Sequence, residues 1–289
     1  MSKIALIKGD SRYENIFAAL KTIETEIKEK IAGKRRIVLK PNFVSTTVPL
    51  AASSAEAAKA VLDFLKSLTK EKIIIAEGAA HNDTDAGFKN LGYYELAKDY
   101  RVEFVDLNCD KTIDFEIFSS DLKLFRVKIA KTIFESDFRI SLALLKTHDT
   151  VVATLSLKNL VVGALPEKSL LHQGYKAINL SLAKLAEVIP PHLSVIDGFV
   201  GMEGDGPIYG APVEMKVALA GTDFLAVDTA ASRLMGFDIS QIGYLYYCRE
   251  KGLGEGDLSR IEIIGNVSLE EAMKKFALPP TFEKQLNWH

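Results

Sequence analysis

Two short stretches of the chain share one pattern. Leu39-Lys40-Pro41-Asn42 and Leu145-Lys146-Thr147-His148 both read Leu-Lys-x-(Asn/His). Lysine brings a positive charge, and asparagine or histidine two positions later brings a directional hydrogen bond; together they suit a carboxylate or phosphate. Two other apolar runs end in an acid followed by glycine, Glu77-Gly78 and Asp197-Gly198. Lys158-Asn159 interrupts the middle of Val151–Leu165, which is otherwise apolar almost all round. A lysine buried there loses hydration worth several kcal/mol unless an anion or carboxylate meets it. The competing reading is a lysine whose stem snorkels to the surface. Of the five histidines, His148 and His172 lie in polar contexts fit for acid/base work, or for ligating a divalent metal together with Asp197 or Glu203. Their spacing matches no metal motif.

The stretch Asp197–Gly210 is dense in glycine, Gly204 and Gly206 among them, and holds Glu203 and Asp205. Glycine lets a backbone approach a ligand closely, so the stretch reads as a lid or as a plain hairpin. It is no dinucleotide fingerprint, because its glycine spacing is wrong and it leads into a strand. Gly163–Ser169 is a near miss to a phosphate loop, with Glu167 where glycine should precede Lys168.

The elements that must position these residues follow from hydrophobic periodicity. Short β-branched runs (4–8, 36–40, 72–76, 102–106, 138–146, 193–197, 214–220, 261–265) alternate with helical patterns at about 14–31, 54–68, 87–100, 151–165, 176–188, 224–235, 241–251 and 269–276. The alternation predicts an α/β fold: a mostly parallel sheet with helices on both faces. Residues 101–130 break the rhythm and read as three strands of a short antiparallel β insertion, in a single domain spanning 1–289. Carboxyl ends of parallel strands share one edge, where ligands bind. Lys40, Asn42, Glu77, Lys146, His148 and Asp197 should therefore meet in one crevice, with Lys158 and Asn159 facing it. Asp228, just inside a helix that Thr222 or Asp223 would cap, fits a carboxylate placed by the helix dipole.

Composition narrows the function classes. The 289 residues carry 36 Lys+Arg against 38 Asp+Glu, a formal net charge of −2. Such a balance argues against a protein that coats nucleic acid or a membrane surface. No apolar run approaches the ~18 residues of a membrane helix, and no secretory leader is evident, so the cytoplasm is the expected compartment. Cys109 and Cys248 are the only cysteines, too few to hold an iron–sulfur cluster in this chain.

Lys40-Pro41-Asn42, Lys146-Thr147-His148, Lys158-Asn159, His172, Asp197-Gly198, Met202-Glu203-Gly204-Asp205-Gly206-Pro207 and Ala226-Val227-Asp228 together resemble the DUF362 family, from about Lys40 to Gly254. Many relatives append a ferredoxin-like cassette, and that resemblance implies a separate redox partner protein for any electron transfer here. Two readings follow. One is an enzyme on a small anionic metabolite, carboxylate or phosphate. In it Lys40, Asn42, Lys158, Asn159, Glu77, Gly204 and Gly206 bind, Lys146, His148 and His172 act on the substrate, and Asp197 and Glu203 serve a metal. The other is a non-catalytic module that carries an anion or cofactor for an iron–sulfur partner.

Overall fold

The runs Ile37–Lys40 and Ile73–Glu77 have almost no water-facing side, which only strands covered on both faces tolerate. In the computed structural model, which describes residues 1–289, they are interior strands of one nine-stranded sheet. The strands are β1 (Ser2–Lys8), β2 (Ile37–Lys40), β3 (Ile73–Glu77), β4 (Val102–Asp106), β5 (Thr112–Phe118), β6 (Leu124–Ala130), β7 (Phe138–His148), β8 (Val152–Thr154), β9 (Leu193–Glu203), β10 (Ala211–Gly221) and β11 (Ile261–Gly265). The sheet order is β11-β1-β10-β9-β7-β2-β3-β4, with β8 paired to β7. Strands β9, β7, β2, β3 and β4 run parallel, and β11 runs parallel to β1. Within this sheet, antiparallel pairing is confined to β10 with its two neighbours and to the β7–β8 hairpin.

Alternation along each strand splits the interior into two cores. Ile37 and Leu39 of β2 face one, Val38 the other; Ala5 and Ile7 of β1 oppose Ile4 and Leu6. The first core is covered by helices α1 (Arg12–Thr22), α2 (Glu24–Ile31), α3 (Ala55–Leu65) and α4 (Thr84–Asn90). Beyond the short α5 (Lys131–Phe134), the second is covered by α6 (Ser156–Gly163), α7 (Tyr175–Ala186), α8 (Phe224–Leu234) and α9 (Gly243–Glu250). Ser54 caps α3 by accepting from the Ala57 amide at 3.1 Å, and Asp223 caps α8.

Two expectations change. Of the three strands expected in 101–130, only β5 and β6 form a separate antiparallel hairpin; β4 instead lies parallel to β3 at the sheet edge. The hairpin leans on α7, where the Phe118 amide donates to Ser181 Oγ at 3.0 Å. The helix expected over 151–165 is shorter, because Val152–Thr154 folds back along β7 as β8 before α6 begins. An unbroken apolar run cannot reveal that split, since a buried strand and a buried helix look alike in it.

Candidate functional site

At the carboxyl edge of β2 and β3, Lys40 and Glu77 form an ion pair of 2.5 Å, the two side chains only 1% and 2% exposed. Lys40 Nζ also donates to Asn159 Oδ1 at 2.9 Å and to the Pro41 carbonyl at 2.9 Å. Glu77 accepts from the amides of Phe43 (2.6 Å, at Oε1) and Gly78 (3.0 Å, at Oε2), so both carboxylate oxygens have partners. Asn159 Oδ1 takes a second donor, Asn42 Nδ2 at 3.0 Å, and Asn42 Oδ1 in turn accepts from Lys146 Nζ at 2.6 Å. A continuous polar strip thus runs from Glu77 through Lys40, Asn159 and Asn42 to Lys146, wholly inside the protein. Burial pushes Lys40 below the usual lysine range against the pull of Glu77. Lys146 has only neutral acceptors, so burial and the nearby Lys158 charge bring it down to about 7.

Helix α6 supplies both Lys158 and Asn159. Its first two amides, Ser156 and Leu157, are capped in trans by Asp228 of α8 at 2.8 and 2.9 Å. That carboxyl is fully buried, and desolvation raises it to about 7 despite the two amide donors. Gly163 closes the helix over the ion pair; a methyl group there would overlap Lys40 Cε and Nζ.

The β7–β8 turn supplies His148. The Thr150 amide donates to its Nδ1 at 3.0 Å. Asp149 Oδ1 also stands 3.0 Å from that nitrogen, so Nδ1 is engaged on the turn side and Nε2 is the ring nitrogen left without a protein partner. Burial, with Lys158 nearby, holds His148 down to about 3. Val152 begins β8 at φ +67°, a left-handed conformation that costs a β-branched residue roughly 1–3 kcal/mol. Gln285, fully buried and far along the chain, holds the turn: its Oε1 accepts from the Val152 amide and its Nε2 donates to the His148 carbonyl at 2.9 Å. Thr281 Oγ1 adds a 2.6 Å bond to the Asp149 carbonyl.

These elements wall a cavity of about 560 Å³. Of the residues singled out in the sequence, Lys40, Asn42, Glu77, His148, Lys158, Asn159, His172 and Gly206 line it, while Lys146 lies beneath, reaching it only through Asn42. The tip of the β9–β10 hairpin forms one side, Asp205 to Tyr209, and Gly206 is there because its Cα abuts Thr147, leaving no room for a side chain. His172 sits at the rim, and burial lowers it from the ordinary histidine range. Gly204 is outside the lining.

Asp197 and Glu203 are not brought to the cavity. Strand β9 does not end at Asp197 but continues to Glu203, and alternation turns Asp197 to the opposite face, where Arg12 Nε stands 2.9 Å away. Glu203 accepts from the Ala277 amide at 2.8 Å. No three His, Cys, Asp or Glu side chains gather into a metal's donor set. Sequence reasoning missed three members of the site. Lys168 lines the cavity, donating to Asn108 Oδ1 at 2.6 Å and to the Leu165 carbonyl at 2.8 Å, and burial lowers it to about 8. Its only signal was the failed phosphate-loop spacing. Thr154 lines the cavity with a buried hydroxyl that has no partner, and Gln285 carries no local signal at all.

A thylakoid-associated protein of Synechocystis is 26% identical over 216 residues, which is 72% of this chain and 65% of that relative. Among solved structures, the lactate racemase apoprotein from Thermoanaerobacterium thermosaccharolyticum superposes with a TM-score of 0.52 at 16% identity, over 75% of this chain and 54% of that one. The chain therefore spans about half to two thirds of the length of these proteins, and the second likeness is one of fold. No helix of this chain is long and apolar enough to cross a membrane. Residues 37–233, which include every cavity-lining lysine and histidine, match the model of the domain of unknown function DUF362, and the chain belongs to that family.

Proposed function

We propose that the protein is an enzyme that binds a small anionic metabolite, a carboxylate or phosphate, in this cavity. One observation carries the reading. Lys158, Thr154 and His148 are each at least nine-tenths buried on the cavity wall; the Thr154 hydroxyl is buried with no partner, and Lys158 Nζ and His148 Nε2 make no hydrogen bond within the protein. Buried donors without acceptors are costly, and an anion oxygen would satisfy them. Charge supports the same conclusion: Lys40 is neutralised by Glu77, but Lys158 and Lys168 have no carboxylate at ion-pair distance. Neutral His148 serves such an anion as a hydrogen-bond donor rather than a base, and His172, nearer the ordinary range and at the rim, is the better proton carrier. The fold shared with a racemase structure is compatible with small-molecule chemistry at this edge and adds no more than that.

The test is a thermal-shift and calorimetric titration with inorganic phosphate and a panel of small carboxylates. A ligand at 100 times its Kd should add about 2.7 kcal/mol of stability to the wild type. Lys158→Ala and His148→Ala should fold and lose most of that gain. An equal gain in both variants would remove the cavity from the explanation.

A further inference from the structure

Three of the four lysines around the cavity are tied down. Lys40 is held by Glu77, Asn159 and the Pro41 carbonyl, Lys146 by Asn42 and the Ala51 carbonyl, and Lys168 by Asn108 and the Leu165 carbonyl. Lys158 is the exception. Its side chain is 6% exposed, it opens on the cavity, and no acceptor fixes its proton or its position. An amine of this kind, stripped of water and next to other cations, is a nucleophile toward carbonyl carbon rather than a structural charge. We propose that Lys158 forms a Schiff base with the carbonyl group of an anionic oxo compound, such as an oxo acid or an aldehyde phosphate. The inference rests on the anion reading above and names the substrate class for the same cavity.

The neighbours fit each stage. Lys168 and the polar rim take the substrate's anionic end. The Lys158 Nζ lone pair attacks the carbonyl carbon, and one N–H proton passes to the carbonyl oxygen, giving a carbinolamine. That oxygen then leaves as water with the second nitrogen proton as the C=N double bond forms, so one water is released and no oxidant or reductant is consumed. The Thr154 hydroxyl, buried without a partner, and His148 Nε2, which makes no hydrogen bond within the protein, lie on the same wall, placed to polarise the carbonyl and then to hold the departing oxygen. Burial, opposed by Asp149 and helped by Lys40, brings Lys158 down to about 8, toward the range in which a free amine forms near neutral pH. A snorkelling surface lysine would have stayed fully charged.

The test uses the full chain, with glyoxylate, pyruvate and glycolaldehyde phosphate as probes and sodium cyanoborohydride to reduce the imine to a stable amine. Peptide mass mapping should find the adduct at Lys158, suppressed by inorganic phosphate. Lys158→Arg keeps the positive charge but cannot form the imine, so it should retain phosphate stabilisation and lose the adduct. Phosphate stabilisation with no adduct from any probe, or adducts spread over exposed lysines and unchanged in Lys158→Arg, overturns this inference and leaves the anion reading standing. Loss of both phosphate stabilisation and adduct in the wild type overturns both.

Discussion

Replacing Glu77 by glutamine removes one negative charge and almost no volume, and it should be among the most damaging single changes in the molecule. In the wild type the carboxylate meets Lys40 at 2.5 Å with both groups shielded from water. Removing one partner of such a pair leaves a buried, uncompensated charge, at about 3–5 kcal/mol. The side-chain amide also turns an N–H₂ toward one of three donors now served by Glu77, the Phe43 amide, the Gly78 amide or Lys40, adding about 1 kcal/mol or more. A domain with the usual ~5–15 kcal/mol of stability would lose a large share of it. The loss should depend on pH in a stated direction. Lys40 lies below the ordinary lysine range even with Glu77 present, and without it the folded side chain falls further while the unfolded one does not. Between those two ranges the unfolded chain binds more protons, so the variant gains stability as pH rises, by up to about 1.4 kcal/mol per unit. Urea denaturation at a series of pH values measures both terms, with Lys40→Met/Glu77→Gln expected to recover most of the loss. A deficit under about 1 kcal/mol, as for an exposed pair, a deficit flat with pH, or simple additivity in the double variant would refute the reasoning.

Lys146 is held near 7 in the fold, so above that pH the unfolded chain binds the extra proton and stability rises with pH toward the ordinary lysine range. Lys146→Met should flatten the stability-versus-pH curve by up to about 1.4 kcal/mol per unit between about pH 7.5 and 9.5, read by denaturation. Gln285→Ala leaves the Val152 amide and His148 carbonyl buried without partners, for a loss of about 2–5 kcal/mol, and should weaken phosphate binding; unaltered binding in the folded variant would show that the clamp does not position His148. Gly163→Ala should favour the helix by about 1 kcal/mol locally yet displace Lys40, so phosphate-induced stabilisation should fall while circular dichroism stays helical.

Much of this site could be read from strand ends. Lys40, Asn42 and Glu77 arrive at one edge because β2 and β3 are parallel and stop together, while β7, paired with β2 only as far as Ser141, runs on past that edge to bring His148 there; parallel stacking follows from the unbroken apolar runs. Asp197 failed the same logic because its strand does not stop: the glycines after it permit β9 to run on to Glu203, and a residue inside a strand goes to whichever face alternation dictates. Lys168, Thr154 and Gln285 were invisible for another reason. Lys168 and Thr154 reach the cavity through a turn and a fold-back, and Gln285 acts on it from behind the histidine turn, across the 137 positions between His148 and Gln285.

That separation also orders the making of the protein. On a ribosome, the sheet strands, α6 and the lysines emerge first and can assemble the frame of the cavity. The histidine turn, with Val152 in a conformation it resists, stays unclamped until Gln285 has left the exit tunnel. Until then the nascent chain would carry an assembled lysine frame with a loose histidine turn.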